Sequence, residues 1–82
     1  MSNIIKYDIA TIIKQLEETT DQKAKQVGLD CYTIGNITEQ NLLDCEFKFT
    51  EKSFKENYPI YTKGNIEAIF IGNLLTVRET TI

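Results

Sequence analysis

The stretch IFIGNLLTV, residues 69–77, determines the fold of the C-terminal third of this chain. It holds Gly72-Asn73 between two runs of β-forming residues. A two-residue hairpin with glycine at its first central position makes a type II′ turn, whose twist matches that of the flanking strands. Four of the predicted cross-strand pairs join apolar with apolar or acid with base: Ile71 with Leu74, Phe70 with Leu75, Ala68 with Val77 and Glu67 with Arg78. The sequence therefore predicts strands at 66–71 and 74–80.

The same dipeptide occurs at Gly64-Asn65 and predicts a second hairpin. A turn there pairs Tyr61 with Ala68 and Ile60 with Ile69, which are all apolar residues. The strand that enters this turn is predicted at 58–63, where Pro59 has to lie at a strand start or an edge. These two turns make the last 25 residues an antiparallel meander.

A third copy, Gly35-Asn36, fits a hairpin less well. It would place Tyr32 opposite Glu39, an aromatic side chain opposite a carboxylate. Thr38 could instead cap a short helical turn before Leu42. Residues 35–42 are therefore either a hairpin or a short helix.

The N-terminal segment has the spacing of an amphipathic helix. Its apolar stripe recurs at steps of three and four: Ile5, Ile9, Ile12 and Leu16. We predict a helix over residues 3–27 that ends at Gly28, with Ser2 or Asp8 as its N-cap. The β-branched pair Thr19-Thr20 weakens its middle, so the alternative is a helix that stops or bends there. If Asp8 is the cap, residues 4–7 can form a short strand instead.

Two further strands are predicted between this helix and the meander, at 29–34 and 42–50. The second is inferred from alternation, because every other residue is apolar: Leu43, Cys45, Phe47 and Phe49. Ser53 and Glu56 have the spacing of a capping box, so we predict one helical turn between this strand and Pro59.

Together these elements predict a single α+β domain over residues 1–82, with one N-terminal helix packed on an antiparallel meander sheet of four or five strands. A single helix covers one face of a sheet. The second face of the predicted meander is also apolar, and it is rimmed by charge: Tyr58, Ile60, Ile69, Ile71 and Leu74, with Glu67 and Arg78. Either residues 51–58 fold over that face, or it meets another chain, which we favour.

Charge and composition limit the class of partner. The net charge of −3 argues against a general nucleic-acid or membrane binder, so we expect neither as a partner. Carboxylates are concentrated between Lys25 and Lys48, where no basic residue occurs, and they form a predicted secondary contact for a basic partner: Asp30, Glu39, Asp44 and Glu46. Lysine outnumbers arginine eight to one, as in products of AT-rich bacterial or phage genomes.

Catalytic chemistry finds little support in the sequence. The chain has no histidine, which excludes histidine bases and Ser-His or Cys-His pairs. Cys31 and Cys45 are too few for a zinc site or a disulfide framework, and no glycine-rich phosphate loop is present. We therefore predict no metal, no cofactor and no enzyme activity, and a reducing cytoplasm as the location.

The leading hypothesis is a small intracellular protein-binding module, a regulator or inhibitor that occludes a partner's surface through the second sheet face. A phage or mobile-element origin would suit an inhibitor of a host or defence protein. The alternative is a homo-oligomer, structural or ligand-binding, in which the same face is used for self-association.

Overall fold

The computed structural model describes residues 6–55 and 57–80. This part of the chain forms two helices and six strands. Their bounds in chain order are α1 Ile9–Thr20, β1 Ala24–Gly28, β2 Cys31–Gly35, α2 Glu39–Asp44, β3 Lys48–Phe54, β4 Tyr58–Lys63, β5 Ile66–Ile71 and β6 Leu74–Glu79. The α+β class predicted from the sequence is confirmed.

Both C-terminal hairpins have the predicted turns. Gly64 and Gly72 have φ angles of +57° and +64°, while the asparagine after each is not among the residues with positive φ. That combination is the type II′ turn. Ile71 pairs with Leu74 across the second turn, and Glu67 pairs with Arg78 further along. The predicted register of β4 with β5 is confirmed as well.

The sheet has six antiparallel strands rather than four or five, in the order β1-β2-β6-β5-β4-β3. The additional strand is β1, which pairs with β2 and forms one edge. β2 pairs with β6, so the chain must cross from one side of the meander to the other before β3. The crossing segment contains α2.

The first helix is shorter than predicted. It begins after the N-cap Asp8 and ends at Thr20, because Asp21 adopts a left-handed conformation with φ of +56°. Aspartate is one of the few residues other than glycine that tolerates this region. The chain then turns back as β1, where the Ala24 amide donates to a Glu17 carboxylate oxygen at 2.8 Å. Asp8 is thus the N-cap residue, although its side chain makes no capping hydrogen bond. Ser2 lies outside the described residues, and so does the first half of the short strand suggested at 4–7, whose described residues Lys6 and Tyr7 are not in a strand.

The strand predicted at 42–50 is wrong in its first half. Residues 39–44 are α2, capped by Thr38, whose hydroxyl accepts from the Asn41 amide, while the Asn41 side chain accepts from the Thr38 amide. Leu42 is fully buried, whereas Leu43 is 43% exposed, the reverse of the strand prediction. The short helix proposed as the alternative for residues 35–42 is the correct one.

The helical turn predicted from Ser53 is also wrong. Ser53 lies in β3 and pairs with Pro59 near the start of β4. Between Phe49 and Ser53 the register of β3 shifts, and Glu51 has a φ of +64°. β1 has a similar irregularity between Gln26 and Gly28. Both edge strands of the sheet are therefore irregular in their pairing.

The core lies between the two helices and one face of the sheet, which we call the inner face. Residues of both helices and of the loop that follows α2 meet the central strands in one buried cluster. Its principal members are Ile9, Ile12, Ile13, Leu16, Ile34, Leu42, Phe47, Tyr61, Ile66, Ala68, Leu75 and Val77. Since strand residues alternate between faces, this arrangement determines which side chains are left on the opposite face.

Candidate protein-binding surface

The opposite face of the sheet, which we call the open face, has neither helix on it. The strand registers assign one set of described residues to it: Lys25, Gly28, Cys31, Thr33, Gly35, Lys48, Phe54, Tyr58, Ile60, Thr62, Glu67, Ile69, Ile71, Leu74, Thr76 and Arg78. All seven residues predicted for partner binding from the sequence belong to this set. Residues 51–54 do not cover them, because they continue β3 beside β4 at the edge of the sheet.

One end of the open face is apolar and accessible. Phe54, Ile71 and Leu74 are 44%, 40% and 43% exposed. Phe54 pairs with Tyr58, and the two rings stack with centroids 6.4 Å apart and planes 25° apart. Ile60 follows Tyr58 by two residues on the same face and is half-buried. We call these five residues the apolar patch.

Ile69 lies on the same face but is only 7% exposed. Both helices lie on the inner face, so the burial of Ile69 comes from its neighbours on the open face itself. The register places it between Ile60 and Thr76 on the adjacent strands. Ile69 is therefore covered by neighbouring side chains of the open face. A partner would contact mainly the residues around it.

The far end of the open face is polar and charged. Arg78 Nε donates to Glu67 Oε1 at 2.8 Å, which makes the cross-strand ion pair expected from the register. The Arg78 side chain is 56% exposed and that of Glu67 17%. An ion pair this accessible contributes about 0–1 kcal/mol to stability. Its position gives the apolar surface a charged rim.

The four carboxylates predicted as a secondary contact are separated by the fold. Asp30 lies in the turn between β1 and β2, whereas Glu39, Asp44 and Glu46 lie in α2 or just after it. Glu39 accepts a hydrogen bond from the Tyr61 hydroxyl, and Asp44 accepts one from Gln40. The register assigns none of the four to the open face, so they do not extend the apolar patch.

The contact between Tyr61 and Glu39 joins the sheet to α2. Tyr61 is 3% exposed and lies in the core. Burial raises the pKa of its hydroxyl to about 12, and the hydrogen bond and the negative charge of Glu39 act in the same direction. The hydroxyl stays protonated at neutral pH and acts as a donor to the helix, which is a structural role.

A polar cleft of about 220 Å³ opens between the C-terminal halves of the two helices. Its lining is mixed in charge: Gln15, Glu18, Thr19, Asp44, Cys45, Glu46 and Lys63. Lys63 is only 8% exposed, and its ammonium donates to the Cys45 carbonyl at 2.7 Å and to Gln15 Oε1 at 3.3 Å. Its burial was not recognised in the sequence, although alternation from Tyr61 places it on the inner face.

Lys63 brings a cation close to Cys45, which the local sequence did not suggest. The Lys63 ammonium donates a hydrogen bond to the backbone carbonyl of Cys45, however, and not to its thiol. The Cys45 thiol donates to Thr19 Oγ1 at 3.4 Å. Among the described residues no group of three or more histidine, cysteine, aspartate or glutamate side chains is arranged to hold a metal ion. The hydrogen bonds of the cleft hold α1, α2 and β4 together.

Comparison of the chain with protein-family models, curated proteins and solved structures finds no significant match. In the part of the chain that the structure describes, neither helix has the length and apolar character needed to cross a bilayer.

Proposed function

We propose that this chain is a small protein-binding module, a non-enzymatic regulator or inhibitor that occludes a surface of its partner with the open face of its sheet. A single observation carries the proposal: an apolar patch lies on a sheet face that neither α1 nor α2 covers. Apolar surface of this kind, with a charged rim, is typical of protein contacts.

The distribution of exposed apolar side chains supports the choice of this face. Three of the large ones, Phe54, Ile71 and Leu74, share one end of the open face. The other four are divided among three places: Val27 and Leu29 at the β1–β2 turn, Leu43 on α2 and Phe49 on the opposite side of β3. Single exposed apolar residues are common on soluble proteins, whereas a group on one face is not.

The proposal includes a cytoplasmic location, for which the support is that Cys31 and Cys45 are both unpaired thiols. Unpaired cysteines are the usual state in a reducing compartment.

The test compares two leucines that are equally exposed. Leu74, on the open face, and Leu43, on α2, are each 43% exposed. We expect Leu74→Gln to abolish capture of the partner by the immobilised chain from a native lysate, and Leu43→Gln to retain it. Thermal unfolding of both variants checks that each remains folded. Equal capture by the two variants would contradict the proposal.

Self-association is the competing use of the same face, and light scattering distinguishes it. We expect a monomer at micromolar concentration, because the patch is free for a different protein. A dimer that Leu74→Gln converts to monomer, with Leu43→Gln remaining dimeric, would replace the proposed function by homo-oligomerisation.

A further inference from the structure

The charge of the open face is opposite to that of the chain as a whole. The net charge is −3, yet the cations are concentrated on this side of the sheet. Three exposed basic residues have register positions on the open face, and two more lie in or just after the outer end of β3: Lys25, Lys48 and Arg78, then Lys52 and Lys55. Among the residues assigned to the face by register, Glu67 is the one carboxylate.

The strand pairing fixes these positions. Lys25 pairs with Thr33, and Lys48 pairs with Thr62, both of which are open-face residues. Lys52 lies in the irregular part of β3 between Phe49 and Ser53, two residues before the open-face residue Phe54, and the register gives it no partner. The basic residues thus lie on both edge strands and flank the apolar surface between them.

Lys55 lies in the turn after β3 and contacts the patch directly. Its ammonium is 5.7 Å from the centroid of the Phe54 ring, within the range of a cation–π contact. It places a positive charge beside the most exposed aromatic ring of the patch.

These cations remain mostly available to a partner. Within residues 6–55 and 57–80, Arg78 with Glu67 is the one ion pair closer than 4.0 Å. That pair neutralises Glu67, so Lys25 and Lys48 remain as unpaired charges with register positions on the face, with Lys52 and Lys55 beside it. Exposed charges of one sign around an apolar surface attract a partner of opposite sign and select against partners of the same sign.

We propose that the occupant of the open face is an acidic segment of a partner protein that also carries apolar side chains. This inference rests on the proposed function and names the chemistry of its partner. The apolar residues of the segment would contact the apolar patch, and its carboxylates would pair with lysines on the two edge strands.

A second copy of the chain fits this face poorly. A two-fold dimer through the open face would bring the same patch of both copies together. Lysines of one copy would then face lysines of the other, which opposes association. Charge therefore favours a different protein over self-association.

A nucleic acid also fits less well than an acidic protein. The centre of the surface is aliphatic, with Ile60, Ile71 and Leu74, whereas single-stranded nucleic acid is bound by stacking of bases on aromatic rings. The two aromatic rings of the patch, Phe54 and Tyr58, already stack on each other. An overall charge of −3 also weakens the attraction for a polyanion.

The test uses three probes of defined composition on the whole chain labelled with nitrogen-15. Two peptides of about 16 residues, a length that spans the sheet, share leucine and phenylalanine at alternate positions and have either glutamate or lysine between them. The third probe is a thymidine oligonucleotide of the same length. We expect the glutamate peptide to shift the amide resonances of Thr33, Leu74 and Thr76, and to bind more weakly as salt is raised.

Two double variants with the same change in net charge control for general electrostatics. Lys25→Glu with Lys48→Glu alters the open face, whereas Lys14→Glu with Lys23→Glu alters exposed positions on α1 and after it. We expect the first to weaken binding of the glutamate peptide by about tenfold or more, and the second by no more than about twofold.

The remaining outcomes separate failure of this inference from failure of the proposed function. Tighter binding of the lysine peptide to the open face would overturn the acidic partner and leave protein docking intact. Tighter binding of the oligonucleotide would replace the protein partner by a nucleic acid. If no probe shifts the open-face resonances, or if both double variants weaken binding equally, the inference is wrong, while the Leu74→Gln capture experiment still decides the proposed function.

Discussion

The two faces of the sheet differ at two consecutive leucines. Leu75 lies on the inner face and is fully buried, whereas Leu74 lies on the open face and is 43% exposed. The two residues are identical in chemistry and adjacent in sequence. Their difference shows that hydrophobicity along a strand indicates two apolar faces, but only the positions of the helices decide which one the chain covers itself.

The largest expected effect tests this contrast directly. Leu75→Ala should lower the free energy of unfolding by about 2–5 kcal/mol, since it leaves a cavity in a packed core. Leu74→Ala should lower it by no more than about 1 kcal/mol, because nearly half of that side chain is already in water. Urea unfolding of both variants measures the difference. Similar losses would mean that the open face is covered in solution.

The next largest effect on stability is expected at Ile69, which is buried although it lies on the open face. Ile69 is on the open face yet 7% exposed, while Ile71 on the same face and strand is 40% exposed. We expect Ile69→Ala to destabilise by about 2 kcal/mol and Ile71→Ala by less than about 1 kcal/mol. If the two variants unfold at the same urea concentration, the neighbours of Ile69 do not shield it.

A smaller effect is expected at the turn that keeps the faces distinct. A shift of one residue in the register of β5 and β6 would place Leu74 on the inner face and Leu75 on the open face. Gly72 has a φ of +64°, so Gly72→Ala should destabilise by about 1 kcal/mol through backbone strain. Gly35→Ala is the control, because its φ is ordinary and a Cβ there meets open space. A change beyond about 0.5 kcal/mol at Gly35 would contradict this assignment.

The smallest effect on the free energy of unfolding at neutral pH is expected from the hydroxyl proton of Tyr61, which lies on the inner face. Its pKa is raised to about 12 in the folded chain, by burial and then by Glu39, against about 10 when unfolded. The folded state therefore holds the proton more tightly, and this stabilisation is complete below pH 10 and is lost as pH rises from about 10 to about 12. The difference in unfolding free energy between the wild type and Tyr61→Phe should be constant to pH 10 and then decline. A constant difference up to pH 11.5 would contradict the assignment.

The sequence was most informative where a turn fixes the register. The turns Gly64-Asn65 and Gly72-Asn73 each place two residues between their strands. The position of each turn therefore determines every cross-strand pair of its hairpin. The division of the meander between two faces, and the pairing of Glu67 with Arg78, followed from that alone. The residues that β4, β5 and β6 place on the open face were therefore predictable, although their exposure was not.

The failures occurred where local patterns were ambiguous. Leu43, Cys45, Phe47 and Phe49 alternate over too few residues to exclude a helix, and Leu42 with Cys45 fits helical spacing equally well. Thr38 and Asn41 form a cap in which asparagine replaces the usual glutamate. The β-branched Thr19-Thr20 indicated an alternative end of the first helix, and the helix does end at Thr20. Ala24 and Val27 continued the helical spacing into β1, however, and favoured the longer helix.

The basic character of the open face could not be seen along the chain. Lys25 and Lys48 are far apart in sequence and belong to opposite edges of the sheet. Their common face depends on β1, the strand that sequence analysis assigned to a helix. For this reason the sequence drew attention to the acidic residues between them, which the fold leaves on other elements.

The irregular pairing of β1 and β3 has a consequence for concentrated solutions of this protein. An unpaired strand at the margin of a sheet can template the addition of another chain and the growth of fibrils. Here the pairing of each edge strand with its neighbour is irregular, between Gln26 and Gly28 in β1 and between Phe49 and Ser53 in β3. β3 and the turn after it also carry three lysines. Addition of another chain to the edge strands is thereby disfavoured in the described part of the chain. The apolar patch can therefore stay accessible on the open face without polymerisation through β1 or β3.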